Sequence, residues 1–382
     1  MQKVVVIVGA GPSGLATAAC LSAHSIPHVI LEKEDIYASL WKKRAYDRLK
    51  LHLAKEFCSL PFKPLSPDSP TYIPKDMFVN YLDEYVSTFN IQPQYHRSVE
   101  SAWYDEVDGK WRIDAKNMQS GDVEVYVAEF LVIASGENSA KYIPELPGLG
   151  TFKGEIIHSN EYKSGAKYEN MDVLVVGCGN SGMEISYDLS NFGAHTSIVI
   201  RNPFHVVSKE MVRLGMIFYK YIPLFVVDFL IVLMSKMVYG DLSKYGIRRP
   251  KKGPFFLKET TGRAPVIDVG TVHKIKSKEI KVVPAISSIY GKKVLFEDGG
   301  EREFDAIVFA TGYRSIANNW LKDFKYVLNE NGMPKTDFPH HWKGEKNLYC
   351  CGLSRRGLFG VSMDAKAIAD DIKRVISEKM EK

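Results

Sequence analysis

The sequence predicts an α/β protein with two Rossmann-like dinucleotide-binding domains, the second inserted into the first, and an antiparallel strand meander. Three observations predict it. "VVVIVGAGPSGLATAACL" begins at Val4, and each of its parts returns in "VLVVGCGNSGMEISYDL" from Val173: an apolar strand, a G-x-G-x-x-G turn and a helical pattern. A later strand ends "VIASG" at Gly136, and another ends "VFATG" at Gly312. That echo indicates that the chain goes back to the first domain after completing the second.

In chain order, residues 3–8 read as a strand, Ser13–Ala23 as a helix and Val29–Leu31 as the next strand, the order of a mononucleotide-binding half. Prolines at 61, 64, 67, 70 and 74 predict a long ordered connection from Tyr37 to Pro74, and Met77–Phe89 then has helical spacing. Residues 102–107, 111–115 and 123–127 alternate around Asp108-Gly109 and Ser120-Gly121, predicting the meander, with a separate strand through "EFLVIASG". Proline and glycine crowd into "PELPGLGTFKG" at 144–154, where the second domain is expected to begin. Its strands fall at 173–176 and 196–200, followed by segments at 280–286 and 293–299. The strand at 304–312, "NLYCCG" and a helix over 361–378 complete the first domain. The predicted boundaries are 1–150, 151–299 and 300–382.

Each glycine of the first turn has a physical task. Gly9 permits the bend, Gly11 lets the backbone approach a pyrophosphate, and Gly14 gives the helix room against the strand. Pro12 suits a first helical position that needs no donor, and Ser13 lies beside it in the same turn. Glu32, 18 residues beyond Gly14, ends the next strand where a carboxylate accepts from ribose hydroxyls.

In the second turn Gly177, Gly179 and Gly182 repeat these roles, and Arg201 stands where the first half has its acid. A guanidinium suits a 2'-phosphate, which a carboxylate would repel, so this site is predicted to take NADPH. Asn180 and Ser181 orient the pyrophosphate or cap the helix. A nicotinamide site beside an acid-terminated ribose site makes chemical sense if the first ligand is FAD, which accepts hydride from NADPH.

Composition narrows the classes further. The 45% hydrophobic and 25% charged content is that of a folded chain, and the net charge of +5 is dispersed except at Lys42-Lys43-Arg44 and Arg248-Arg249-Pro250-Lys251-Lys252, so nucleic acid is not indicated. Five cysteines, at 20, 58, 178, 350 and 351, form neither a metal cluster nor a C-x-x-C pair. No metal is expected, and disulfide reduction is disfavoured as the fate of the flavin electrons. The first strand starts too early to leave room for a leader, which predicts a cytoplasmic protein. Residues 214–240, "LGMIFYKYIPLFVVDFLIVLMSKMVYG", are very apolar, but Lys220, Pro223, Asp228 and Lys236 argue against a span and for a buried or surface-docking helix, with peripheral membrane contact the alternative.

"FKGEIIHSNEY" at 152–162 carries Phe152, Gly154, His158 and Tyr162 in a spacing that resembles the F-x-G-x-x-x-H-x-x-x-[YF] motif of class B flavin monooxygenases. "SLWKKRAYDRLKLHLAKEFCSLP" at 39–61, "YIPKDMFVNYLDEYV" at 72–86, "FATGYRS" at 309–315 and "RRGLFGVSMDAKAIADDI" at 355–372 resemble the plant YUCCA family. The resemblance implies oxidative decarboxylation of indole-3-pyruvate to indole-3-acetate, the auxin, with NADPH and O2 consumed. The resemblance further implies that oxygen adds to the reduced flavin at C4a and that the resulting peroxyflavin attacks the 2-keto carbon. The reactive group is then the cofactor's, so positioning residues are expected instead of a general base.

His52 and Lys55 in "LHLAK" match a family segment near flavin and NADP, a structural histidine being the alternative for His52. Trp41 and Leu51 are candidates for the flavin wall, with plain packing the alternative for Trp41. Gly312 ends a strand near the dinucleotide, and Asp364 orients backbone or flavin or caps the last helix. The partner is an aromatic 2-keto acid together with O2, and the resemblance allows association with the cytosolic face of the endoplasmic reticulum. Oxygenation of nitrogen, sulfur or ketones, electron transfer to a protein, and nucleotide sensing without turnover all remain open, as does oligomeric state.

Overall fold

The computed structural model describes residues 2–381. It divides into two compact units. One holds the chain up to Lys43, Lys55–Ala140 and the chain from Tyr313 onward; the other holds Arg44–Ala54 and Lys141–Gly312.

In the first unit the strands run, in spatial order, His28–Leu31, Gln2–Val8, Val123–Ile133, Lys110–Asn117 and Arg97–Asp105, with Leu348–Cys350 also paired to Val123–Ile133. The meander is present, but its third strand and the strand through "EFLVI" are one element. Its first part pairs antiparallel with Lys110–Asn117, and its last residues run parallel to Gln2–Val8, placing Ile133 opposite Val8. The reason is local: no Gly, Pro or Asn lies between Val123 and Ile133, so nothing breaks the run. Val5, Val6, Ile7, Phe130, Leu131 and Val132 are fully buried, as a parallel sheet covered on both faces requires. The helix Pro12–Ala23 is buried from Ser13 through Leu21, because the closing helix Gly357–Met380 covers the side that the sheet does not.

The second unit carries an all-parallel sheet in the order Ile280–Val283, His195–Val199, Asp172–Val176, Ala306–Phe309, Glu155–His158. An antiparallel trio, Ile286–Tyr290, Lys293–Phe296 and Glu301–Glu303, packs beside it. The apolar segment expected as one helix over 214–240 is two, Lys209–Phe218 and Leu224–Tyr239. Pro223 causes the break: it has no N–H to donate, and its ring pushes the preceding residue out of helical conformation. Asp228, buried in the second of these helices, accepts from the amides of Phe255 at 2.8 Å and Phe256 at 3.0 Å and so caps the helix Pro254–Thr261. Among the described residues no helix is long and apolar enough to cross a membrane.

Candidate dinucleotide sites

The two glycine turns are built on the same contact. A Cβ on Gly9 would lie 2.6 Å from the Ala134 carbonyl oxygen, and one on Gly177 would lie 2.5 Å from that of Ala310. Each turn is thus pressed against the end of the neighbouring strand whose "VIASG" or "VFATG" ending repeats in the sequence. Gly14 and Gly182 face inward as well: a Cβ on either would run into the carbonyl of Gly9 or Gly177 respectively. These four glycines are explained by packing alone.

Gly11 and Gly179 are not. Both are helix N-caps with ordinary φ values of −72° and −73°, and a Cβ on either would meet nothing within 4 Å. Neither conformation nor a protein neighbour demands glycine there. The open space ahead of each lies at a helix start that no side chain caps, where first-turn amides and the helix dipole favour an anion. A pyrophosphate fits both places.

Around the first turn, buried Glu32 accepts from the Ala10 amide at 2.7 Å and from the Glu34 amide at 2.9 Å, so its carboxylate is fixed at the mouth of the turn. Pro12 occupies the first helical turn, and Ser13 is buried in it. Asp364, buried in the closing helix, accepts from the Gly352 amide at 2.9 Å and lies 3.0 Å from His341 Nε2, so it orients backbone next to the Pro12–Ala23 helix. Trp41, in the short helix Ser39–Lys43, meets Phe78 edge-on with ring centres 4.7 Å apart.

In the second unit the strand register puts Val199 opposite Val176, just as Leu31 stands opposite Val8. The counterpart of Glu32 is therefore the buried, apolar Ile200, and Arg201 is the exposed residue after it. Burial pushes the Cys178 thiol up to about 11 and the Arg201 charge draws it back, which places that guanidinium within electrostatic reach of the turn. No carboxylate opposes a 2'-phosphate at this strand end.

The helix Asn180–Asn191 carries a polar stripe on its packed side, Asn180, Glu184 and Asp188, at four-residue spacing. Segment 44–54 lies against it. Tyr46 donates to Glu184 Oε2 at 2.5 Å, His52 Nε2 lies 3.7 Å from Glu184 Oε1, and Arg48 lies 3.7 Å from Asp188. Asn180 accepts from the Ile267 amide at 2.8 Å through its carbonyl oxygen, and its amide nitrogen lies 3.4 Å from His52 Nδ1. Burial works against the Glu184 charge, but His52, Tyr46 and the Lys209 ammonium outweigh it and hold the carboxyl below the usual glutamate range. Ser181 hydrogen-bonds Tyr46. His52 therefore belongs to a buried polar chain ending at the first residue of the glycine-turn helix. Leu51, beside it, is buried.

Lys55 has a different task. Its ammonium donates to the carbonyls of Ser66, Pro67 and Ser69 and pins that loop, all within the first unit. Sequence reasoning missed Tyr46, Glu184 and Asp188. The available signal was two acids four residues apart on a helix otherwise expected to bury that face.

The motif at 152–162 is held together by its own side chains. Buried His158 lies 3.0 Å from the Gly312 carbonyl through Nε2, and its Nδ1 accepts from the Asn160 amide at 3.3 Å. Burial keeps the ring neutral by lowering its pKa. Tyr162 donates to Asp188 at 2.7 Å, Phe152 joins an apolar cluster with Leu174 and Phe309, and a Cβ on Gly154 would strike the Phe152 ring. Gly312 thus serves the second unit as the acceptor for His158.

None of the five cysteines is joined in a disulfide. Burial pushes Cys20, Cys58 and Cys350 up to about 12 and Cys351 well above its ordinary value, so none of these four is a thiolate near neutral pH. No cluster of His, Cys, Asp and Glu among the described residues could hold a metal ion.

Comparison with known proteins agrees with this chemistry. The family model "Flavin-binding monooxygenase-like" matches residues 2–361. The chain is 60% identical over 378 residues to the probable indole-3-pyruvate monooxygenase YUCCA10 of Arabidopsis thaliana, covering 99% of each. It is 45% identical over 372 residues to the indole-3-pyruvate monooxygenase YUCCA1 of Oryza sativa subsp. japonica, covering 96% of this chain and 90% of that protein. A solved flavin-containing monooxygenase from Stenotrophomonas maltophilia superposes with a TM-score of 0.73 at 21% identity, covering 98% of this chain and 99% of that one.

Proposed function

The chain belongs to the flavin-binding monooxygenase-like family, in its YUCCA branch, and from that premise we propose that it converts indole-3-pyruvate, NADPH and O2 to indole-3-acetate, CO2, NADP+ and water. It is an FAD- and NADPH-dependent monooxygenase. The observation that supports this reading is the pair Gly11 and Gly179, two helix-start glycines facing open space where neither backbone conformation nor a protein neighbour requires glycine.

When bound, NADPH supplies a hydride and the flavin relays the electrons to dioxygen, so the residues of the chain bind and position. Gly9, Gly11, Pro12, Ser13 and Gly14 form the FAD phosphate turn, Glu32 receives the ribose hydroxyls, and Trp41 is the aromatic wall of that site. Gly177, Gly179, Asn180, Ser181 and Gly182 form the NADPH turn, and Arg201 takes the 2'-phosphate. His52 acts on that turn through Asn180 and Glu184. Leu51 adds an apolar wall, Gly312 is held by His158, Asp364 holds the Gly352 backbone, and Lys55 keeps the 66–69 loop in place. In domain terms the unit made of the chain up to Lys43, Lys55–Ala140 and the chain from Tyr313 serves FAD, and that of Arg44–Ala54 and Lys141–Gly312 serves NADPH; the strand Ala306–Phe309, expected in the first domain, pairs inside the second because its register runs with Asp172–Val176 and Glu155–His158.

The protein acts in the cytoplasm and makes peripheral contact with a membrane surface through its apolar 214–240 segment, the cytosolic face of the endoplasmic reticulum being the membrane that the family resemblance suggests. The deciding experiment supplies the purified holoenzyme with indole-3-pyruvate, NADPH and labelled dioxygen, following flavin absorbance and product mass together. One labelled oxygen in indole-3-acetate, with CO2 released in equal amount, is the expected result. NADPH loss that yields only hydrogen peroxide would exclude this substrate.

A further inference from the structure

The helix Leu224–Tyr239 is apolar on both sides. Its inner side buries Val227, Ile231 and Tyr239 in the core of the second unit. Its outer side carries Phe225, Phe229, Leu233 and Met237, one residue every four, and these are 75%, 66%, 44% and 78% exposed. Tyr221, just before the helix, is exposed as well. A surface of this extent on a chain of this size marks an interaction site.

The ionic surroundings define the partner. Residues 220–258 contain eight Lys and Arg against two Asp, a net +6, while the entire chain sums to +5. All the excess positive charge of the protein therefore lies in the segment that holds the apolar face. Of the two acids, Asp228 is buried and engaged with the Phe255 and Phe256 amides. A groove of about 670 Å³ beside the helix is lined by Phe225, Phe229, Leu233 and Phe256 together with Lys236 and Lys252. The Lys252 ammonium lies over the Phe256 ring, 4.9 Å from its centre.

We infer that this face docks on a bilayer rich in anionic lipid, with Leu224–Tyr239 lying in the interfacial plane. Sixteen residues give a helix about 24 Å long, which suits an in-plane element. The outward Phe and Met side chains enter the boundary between headgroups and acyl chains, and the lysines and arginines meet the lipid phosphates and carboxylates. An apolar partner protein would explain the phenylalanines but not Lys236, Lys251 and Lys252, which line the groove beside them. The inference rests on the peripheral membrane contact proposed above and names its surface and its lipid chemistry.

Flotation of the FAD-loaded protein with vesicles of phosphatidylcholine containing 30% phosphatidylserine tests it, with pure phosphatidylcholine as the comparison. The wild type should float with the anionic vesicles at least tenfold more than with neutral ones, and 0.5 M salt should release it. Phe225→Ser/Phe229→Ser and Lys251→Glu/Lys252→Glu should each lower flotation about tenfold while NADPH oxidation in solution stays unchanged, which also shows that the variants fold. A Phe229→Trp protein should be quenched by lipids brominated on the acyl chain. No flotation of the wild type overturns membrane contact altogether. Flotation that both double variants retain overturns this face while leaving peripheral contact by another surface. Wild-type dimers that Phe225→Ser/Phe229→Ser converts to monomers, without lipid binding, would assign the face to a second copy and also overturn the inference. The monooxygenase reading stands or falls separately, on product formation.

Discussion

His158 Nε2 donates to the Gly312 carbonyl across 3.0 Å, joining the end of one parallel strand to the glycine that follows its neighbour. A carbonyl only accepts, so the proton is on Nε2, and Nδ1 faces Asn160, 3.3 Å from its amide nitrogen and 3.1 Å from its Oδ1. Burial lowers the His158 pKa below that of an unfolded histidine, about 6.5. The sign follows: protons bind the unfolded chain more readily, so the contribution is complete above the unfolded value and declines as pH falls toward the folded one. His28 and His205 are lowered by burial in the same direction. Melting temperature followed from pH 8 to pH 5 should fall on the acid side, and His158→Gln should flatten that limb. His158→Phe should cost about 0.5–1.5 kcal/mol near neutral pH by removing the imidazole donor to the Gly312 oxygen, which keeps the Tyr142 amide. Identical pH slopes for wild type and His158→Gln would refute the assignment.

The glycines divide into two kinds, and alanine distinguishes them. Gly11→Ala and Gly179→Ala place a methyl in open space, so each should leave the fold intact within about 1 kcal/mol. The methyl occupies the space proposed for the pyrophosphate, so Gly11→Ala should weaken flavin retention about tenfold or more, and Gly179→Ala should raise the KM for NADPH similarly. Gly14→Ala and Gly182→Ala drive Cβ into backbone carbonyls and should destabilise by about 3 kcal/mol or more. Thermal melts alongside flavin titration and NADPH kinetics separate the two kinds, and cofactor binding unaffected by Gly11→Ala would remove the argument from open space.

Arg201 is exposed and follows Ile200, which holds the strand-end position that Glu32 has in the first unit. A charge-assisted contact with a 2'-phosphate contributes about 1.5–3 kcal/mol, roughly one to two decades in affinity. Arg201→Ser should therefore raise the KM for NADPH about ten- to a hundredfold and leave that for NADH nearly unchanged. The ratio of kcat/KM for the two coenzymes is the measurement, and a ratio that does not move places the 2'-phosphate elsewhere.

The glycine turns were legible because their constraints are local: the spacing of Gly9, Gly11 and Gly14 fixes a bend, an approach and a helix contact within six residues. The repeated "VIASG" and "VFATG" endings were legible for a related reason, since each ends a strand against its turn, at Ala134 and Ala310. What escaped was non-local. Nothing in "AYDRLKLH" announces that Tyr46, Arg48 and His52 meet the helix at 180–191, because that pairing spans more than 120 residues. The division of the 214–240 segment at Pro223 and the continuity of Val123–Ile133 were readable in principle from a proline and from the absence of turn residues. In both cases average hydropathy and spacing outweighed the single informative position.

The buried chain Tyr46, Glu184, His52 and Asn180 gives the last prediction. Glu184 is 3% exposed, and its charge is tolerated because Tyr46 donates to one oxygen while His52 lies by the other. Tyr46→Phe removes that donor and leaves a buried carboxylate oxygen unpaired, which should cost about 1–3 kcal/mol. Its folded pKa lies below the ordinary glutamate value of about 4.3, so its stabilisation is complete above that value and is lost as pH falls through the folded one. Glu184→Gln should therefore remove part of the acid unfolding below about pH 4.5. If His52 positions Asn180, His52→Ala should raise the KM for NADPH several-fold while flavin content stays at wild-type level, and His52→Gln should recover part of the loss by restoring a partner for the Asn180 amide. Equal losses of flavin and NADPH binding, with no recovery by glutamine, would mean that the chain is structural and has no specific effect on the coenzyme turn.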